Sequence, residues 1–251
     1  MKKHSIILCA IMALLLIAGC AAEPTTVTDM TGFTYSTASK EITITEYKGS
    51  ATTAIIPEIY NSNPVVGFAK GAFKGSTLTD VTLPKGTTRV TPDAFIGSNV
   101  KSIAINGIGI KFAARDGILY DFKLHTLLVY PPKKEDISLT VEGTVHTIGT
   151  DAFKENAYLQ SFTFDGSSIG ASAFFKAQSL KSVHLTDTVS IGLLAFACTP
   201  LEEITLPETL TFIDQTALAE CPSLKKITVK KGSYAHSWCI ENGFESITVA
   251  Q

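Results

Sequence analysis

The side chains best suited to chemistry in this 251-residue chain are five cysteines and five histidines. Past residue 20 the histidines are His125, His146, His184 and His236. None opens a metal-binding spacing such as His-x-x-x-His, and no Cys-x-x-Cys pair occurs, so a zinc site has no local signature. No glycine-rich phosphate loop precedes an expected helix. His184 stands outward between Val183 and Leu185, and His125 falls at the tip of an expected hairpin. Both read as solvated side chains. The chain is therefore not read as an enzyme, and no catalytic residue, metal or cofactor is expected.

Cys20 carries a different chemistry. Lys2 and Lys3 precede an apolar run from Ser5 to Ala18, the layout of an export signal. The run is short of the roughly 20 residues that span a bilayer. Ile17-Ala18-Gly19-Cys20 looks like a bacterial lipobox, in which small residues precede a cysteine that is diacylated before cleavage. Residues 1–19 are thus expected to leave as a signal peptide. The acyl chains on Cys20 would hold the protein to the membrane of a bacterial envelope, at the outer surface or in the periplasm. The polar residues 21–30 show no apolar periodicity and read as a tether. Removing 1–19 takes two lysines and no acid, so 19 basic residues face 23 acidic ones and the net charge moves from −2 to −4. Nucleic acid is not an expected partner of so mildly acidic a chain. Cys198, Cys221 and Cys239 remain, an odd number that makes no disulfide framework.

A repeat must position everything else. Ala-Phe recurs at Ala72, Ala94, Ala152, Ala173 and Ala195, with Ala217-Leu218 as a degenerate copy, at spacings of 22, 58, 21, 22 and 22. After each pair comes an alternating run such as Leu78-x-x-Val81-x-Leu83 or Leu180-x-x-Val183-x-Leu185, which predicts a strand. One coil cannot offset its own backbone entropy, about 1–2 kcal/mol per residue, with about six apolar side chains worth roughly 1.5–3 kcal/mol each. The copies must stack, and stacking predicts a leucine-rich-repeat solenoid, mainly β, of 21–23-residue coils with a parallel sheet. Three residues before each strand-opening apolar position stand Gly75, Gly97, Asn156, Ala177, Cys198 and Cys221. They read as a slot for small buried side chains. Stacked coils would bring Cys198 near Cys221, which leaves a disulfide open.

The expected organisation is a cap over 31–64, repeats over 65–105, an insertion over 106–147, repeats over 148–233 and a cap over 234–251. Within the insertion, Asp116–Asp121 and Thr126–Pro131 read as a β-hairpin and Ile137–Val141 as a return strand. Tyr234–Ile240 reads as a short helix stopped by Asn242-Gly243. Ala-Phe-x-Cys-x-x-Leu-x-x-Ile-x-Leu-Pro at Ala195–Pro207, Thr43–Gly49 and Asp116-Gly117-Ile118-Leu119-Tyr120 together resemble the BspA-type, or treponemal, leucine-rich repeat family. The resemblance covers roughly Thr31 to the C-terminus. It implies bacterial surface or secreted proteins that adhere to host and matrix proteins, and it brings no catalytic residues.

Two surfaces are candidates for a protein partner, whether a host, matrix or envelope protein. The strand face carries Thr82, Ala104, Thr163, His184, Thr205 and Thr228, with Asp80, Ser102, Ser161, Ser182, Glu203 and Lys226 beside them. Extended solenoid faces are the usual binding surface of repeat proteins. The hairpin carries Leu119, Tyr120, Leu128 and Tyr130, more apolar area than two strands are expected to bury, and so marks an interface that includes self-association. The reading is a membrane-anchored, adhesin-like interaction module. The alternative is a periplasmic structural lipoprotein that self-associates. Lys225, Lys226, Lys230 and Lys231 make the last coil basic.

Overall fold

The computed structural model describes residues 25–251, so the expected signal peptide over 1–19 and Cys20 lie outside the described residues. Parallel strands stack in two sheets along one face. The first holds Thr26–Val27, Thr53–Ile55, Asp80–Leu83 and Ser102–Ile105. The second holds Ser138–Val141, Ser161–Phe164, Ser182–Leu185, Glu203–Thr205, Lys226–Val229 and Thr248–Ala250. The solenoid thus has ten turns where the Ala-Phe pattern marks six, and the first, Thr26–Val27, lies within the stretch expected to be a tether, with Met30 buried in the core after it. Alternation explains each strand: Val183 and Leu185 are buried while His184 between them is exposed, as period-two geometry requires.

A second ladder of short strands runs along another side, through Thr147–Ile148, Ser168–Ile169, Ser190–Ile191 and Phe212–Ile213. Between the ladders the Ala-Phe pairs turn the chain inward. The Phe153 and Phe174 rings stack at 4.5 Å and those of Phe174 and Phe196 at 5.1 Å, contacts worth about 0.5–1.5 kcal/mol each beyond burial. The N–H groups of Phe73, Phe153, Phe174 and Phe196 each donate to the alanine carbonyl one coil on, for Phe174 to Ala195 at 2.7 Å, while that of Phe95, before the insertion, donates to Pro92 in its own turn. Tyr47 donates to Ala72 at 3.0 Å and Tyr130 to Ala152 at 2.8 Å. The two tyrosines therefore stand in the phenylalanine column of coils that lack an Ala-Phe pair.

The small slot needs correction. Two residues past each phenylalanine (Leu218 in the degenerate copy) the backbone is left-handed, at Gly75, Gly97, Glu155, Lys176, Cys198 and Glu220, with φ between 54° and 72°. The next residue enters the core: Ser76, Ser98, Asn156, Ala177 and Thr199 are buried, and Cys221 is half-buried. Three of the coils have one residue fewer before the strand, so counting back from the strand mixes two positions. Cys198 belongs to the turn and is exposed, and Cys198 and Cys221 are free thiols rather than a stacked buried pair.

The insertion differs too. It contains an additional strand, Phe112–Arg115, antiparallel to Ile118–Asp121 across Asp116 and Gly117, whose φ values are 53° and 78°. An Asp-Gly pair with both residues left-handed is a type I′ hairpin turn, so the sequence held a signal for this strand. Ile118–Asp121 then pairs with Thr126–Val129, which runs parallel to Thr147–Ile148. Leu119 and Val129 join the N-terminal core, while Ile118, Tyr120, Leu127 and Tyr130 join the C-terminal one. The hairpin is a wall between two cores, buried from both sides. This is why its apolar residues find cover: Leu119 is 0% exposed, Tyr130 2% and Tyr120 8%, and Leu128 is half-buried against the N-terminal core. The expected exposed patch at Leu119, Tyr120, Leu128 and Tyr130 is absent.

The N-terminal cap pairs Phe33–Ala38 antiparallel with Glu41–Tyr47, which continues parallel to Asn63–Phe68. The C-terminal cap is the helix Tyr234–Glu241, whose first turn is closed by the Ser233 hydroxyl accepting the His236 N–H at 3.2 Å. Trp238 and Cys239 are buried beneath it, with Phe244 stacked on Trp238 at 5.6 Å. Among the described residues no helix is long and apolar enough to cross a membrane.

Candidate functional site

Parallel register sorts the outward-facing side chains of the second sheet into two rows. One row runs Ser138, Ser161, Ser182, Glu203, Lys226; the other runs Thr140, Thr163, His184, Thr205, Thr228, Val249. Neighbouring strands lie about 4.8 Å apart, so each row is a regular comb of small polar groups. The Ser182 hydroxyl donates to that of Ser161 at 3.1 Å. His184 is exposed, with Thr163 and Thr205 on either side in its row. Threonine and serine fix little side-chain entropy when covered, and few of these groups carry charge that must be desolvated. Such a surface can take a broad partner through hydrogen bonds and area.

The face is not continuous. The N–H of Ile103 donates to the Gly117 carbonyl at 2.9 Å, so the turn of the insertion occupies the edge of Ser102–Ile105 that a further parallel strand would need. Thr82 therefore stands on a smaller N-terminal patch, apart from Thr163, His184, Glu203, Thr205, Lys226 and Thr228. A cleft of about 350 Å³ opens beside this break, lined by Arg115, Asp116, Tyr120, Lys134, Asp136 and Leu139 among others. The Tyr130 hydroxyl donates to Asp136 at 2.8 Å. Burial, then that hydrogen bond, pushes the Tyr130 phenol well above its ordinary range.

Charge on the last coils is largely paired. Lys225 lies 3.1 Å from Glu202, Lys226 3.8 Å from Glu203 and Lys230 4.0 Å from Glu208. The basic cluster read from the sequence is thus an alternating surface of pairs, each contributing little stability. The thiols offer little nucleophilicity at two positions: burial raises the pKa of both Cys221 and Cys239. Among the described residues no group of three or more His, Cys, Asp or Glu is arranged to hold a metal.

Two features escape the sequence reading. Gly166-Ser167-Ser168-Ile169-Gly170 has the Gly-x-Ser-x-Gly spacing of a hydrolase elbow. Here Ser168 lies in the second ladder with its hydroxyl 3.0 Å from that of Ser190, and a side chain at Gly170 would strike the Thr150 backbone at 2.7 Å. Coil packing explains the motif. The other feature is apolar: Ile108 is 84% exposed, Ile110 65% and Phe122 53%, and the Phe122 N–H donates to the carbonyl of Lys111, the residue after Ile110. Exposed apolar area at the insertion thus lies on its loop and tip rather than on its strands. Isolated apolar residues in turns carry no periodicity that would flag them.

Known proteins match this architecture. The model for the BspA type leucine rich repeat region matches six copies over residues 40–113 and 134–243. No curated protein matches the chain. The solved structure of the pneumococcal vaccine antigen PcpA is similar at 23% identity and a TM-score of 0.61, over 73% of this chain and 46% of that one. A leucine rich cell surface protein from Faecalibacterium prausnitzii is similar at 25% identity and 0.53, over 82% of this chain and 59% of its own. The chain spans about half the length of these two relatives. With the family model covering most of the ten-turn solenoid, the chain belongs to the BspA-type leucine-rich repeat family.

Proposed function

We propose that this protein is a membrane-anchored interaction module that binds a host or extracellular-matrix protein through the C-terminal strand face. The observation that carries the reading is the pair of polar rows from Ser138 to Lys226 and Thr140 to Thr228, half-buried to exposed along a regular ladder. Rigid, low-entropy surfaces lose little on binding. The family supports protein interaction as the general role, and the similar Faecalibacterium protein is described as a cell surface protein. Anchoring rests on Cys20 alone, whose diacylation would place the solenoid within a short tether of the bilayer.

The alternative, a periplasmic lipoprotein that self-associates, loses the buried hairpin residues but gains Ile108, Ile110 and Phe122 as an exposed apolar contact. Cys198 separates the two readings, because its thiol is exposed. Intact cells are treated with a membrane-impermeant maleimide, with Cys198→Ser as the control. Labelling before the envelope is breached is the expected result. Labelling only after permeabilisation would exclude a host partner and leave the periplasmic reading.

A further inference from the structure

His125 and His146 are 21 residues apart in sequence, a spacing that matches no linear metal motif. A solenoid turns that distance into contact. The two histidines immediately precede the parallel strands Thr126–Val129 and Thr147–Ile148, with Thr126 paired to Thr147. The His146 N–H donates to the His125 carbonyl at 2.8 Å, which fixes the two backbones side by side. Asp121 holds the preceding turn, its carboxylate accepting the N–H groups of His125 and Thr126 at 2.7 Å each. Both imidazoles are exposed, their ring centroids are 5.3 Å apart and their planes meet at 46°.

We propose that His125 and His146 form a two-histidine site for a borderline divalent cation of the Zn²⁺ class. Metal–nitrogen bonds of about 2.0–2.1 Å at tetrahedral angles set two ligating imidazole centroids roughly 5 Å apart. The observed separation of 5.3 Å falls at that value. Imidazole is the ligand type that zinc, copper and nickel share. The same column continues with Ser167, Val189 and Thr211, so ligands stand on these two rungs only. No third protein ligand joins them among the described residues. The remaining coordination positions are open to water or to a donor from a partner, and the site is a bridging one rather than a closed structural centre. It follows the Phe122–Leu124 turn, which carries the most exposed apolar side chain of that hairpin, Phe122.

The test is calorimetric titration of the full chain in detergent with Zn²⁺ alone, in a Cys198→Ser background so that the exposed thiol does not compete. One ion at micromolar affinity is expected. His125→Ala and His146→Ala should each weaken binding by about tenfold or more, while His184→Ala, on the other ladder, leaves it unchanged. Metal-free melting temperatures should agree among all variants, since the substituted side chains are exposed. With Cu²⁺ as the probe, the magnetic-resonance spectrum should show two nitrogen ligands in the parent and one in either variant. Absence of binding, binding that survives both substitutions, or equal loss in His184→Ala would each overturn the site.

Discussion

Tyr130 shows how one residue can hold several constraints at once. Its ring fills the phenylalanine column, 4.6 Å from Phe153, while its hydroxyl reaches Asp136 at the cleft. Burial and the acceptor both favour the protonated phenol, so the folded protein keeps this proton at a pH where an unfolded chain releases it. Stability contributed by Tyr130 is therefore complete below the ordinary tyrosine pKa of about 10 and declines as pH rises through that value. Tyr130→Phe should cost about 1 kcal/mol at pH 7 through the lost hydrogen bond. The deficit should narrow as pH rises above about 10, read from denaturant midpoints of both proteins; a constant deficit would show that the phenol is not held in this way. The sequence marks Tyr130 as apolar but not as a column member, because its coil lacks the alanine of the Ala-Phe pair. Cys198 was misread for a related reason: the one-residue difference in coil length is invisible until the left-handed turns align the coils.

At the level of elements, the insertion departs most from its reading. Its two apolar runs are legible as strands, and Asp116-Gly117 marks the turn between Phe112–Arg115 and Ile118–Asp121. What the alternation does not reveal is that both faces of the hairpin are covered. A strand buried on both sides and one with an unpaired apolar face have the same composition, and only the position of the wall between two cores distinguishes them. Leu119→Ala and Leu127→Ala, which empty opposite cores at fully buried positions, should each destabilise by about 2–5 kcal/mol. Thermal or denaturant unfolding reads this directly. Losses below about 1 kcal/mol would mean that the hairpin lies on the solenoid rather than within it. The strand alternation itself was fully legible, since Val81, Ile103, Phe162, Val183, Ile204 and Ile227 all face inward as the period requires.

For the whole molecule, stacking ten turns converts a weak 22-residue unit into a rigid scaffold with a polar comb on one side. The family and the solenoid point the same way, toward protein interaction as the general role. The division of the face at Gly117 sharpens that account, because it confines the long comb to the C-terminal sheet and isolates Thr82. Surface plasmon resonance against immobilised matrix proteins, with the full chain as analyte, tests this division most directly. His184→Ala/Glu203→Ala/Thr205→Ala should weaken binding by about tenfold or more, as loss of a central cluster does, while Thr82→Ala binds as the parent does. A triple variant that binds as tightly as the parent would contradict recognition through the C-terminal strand face.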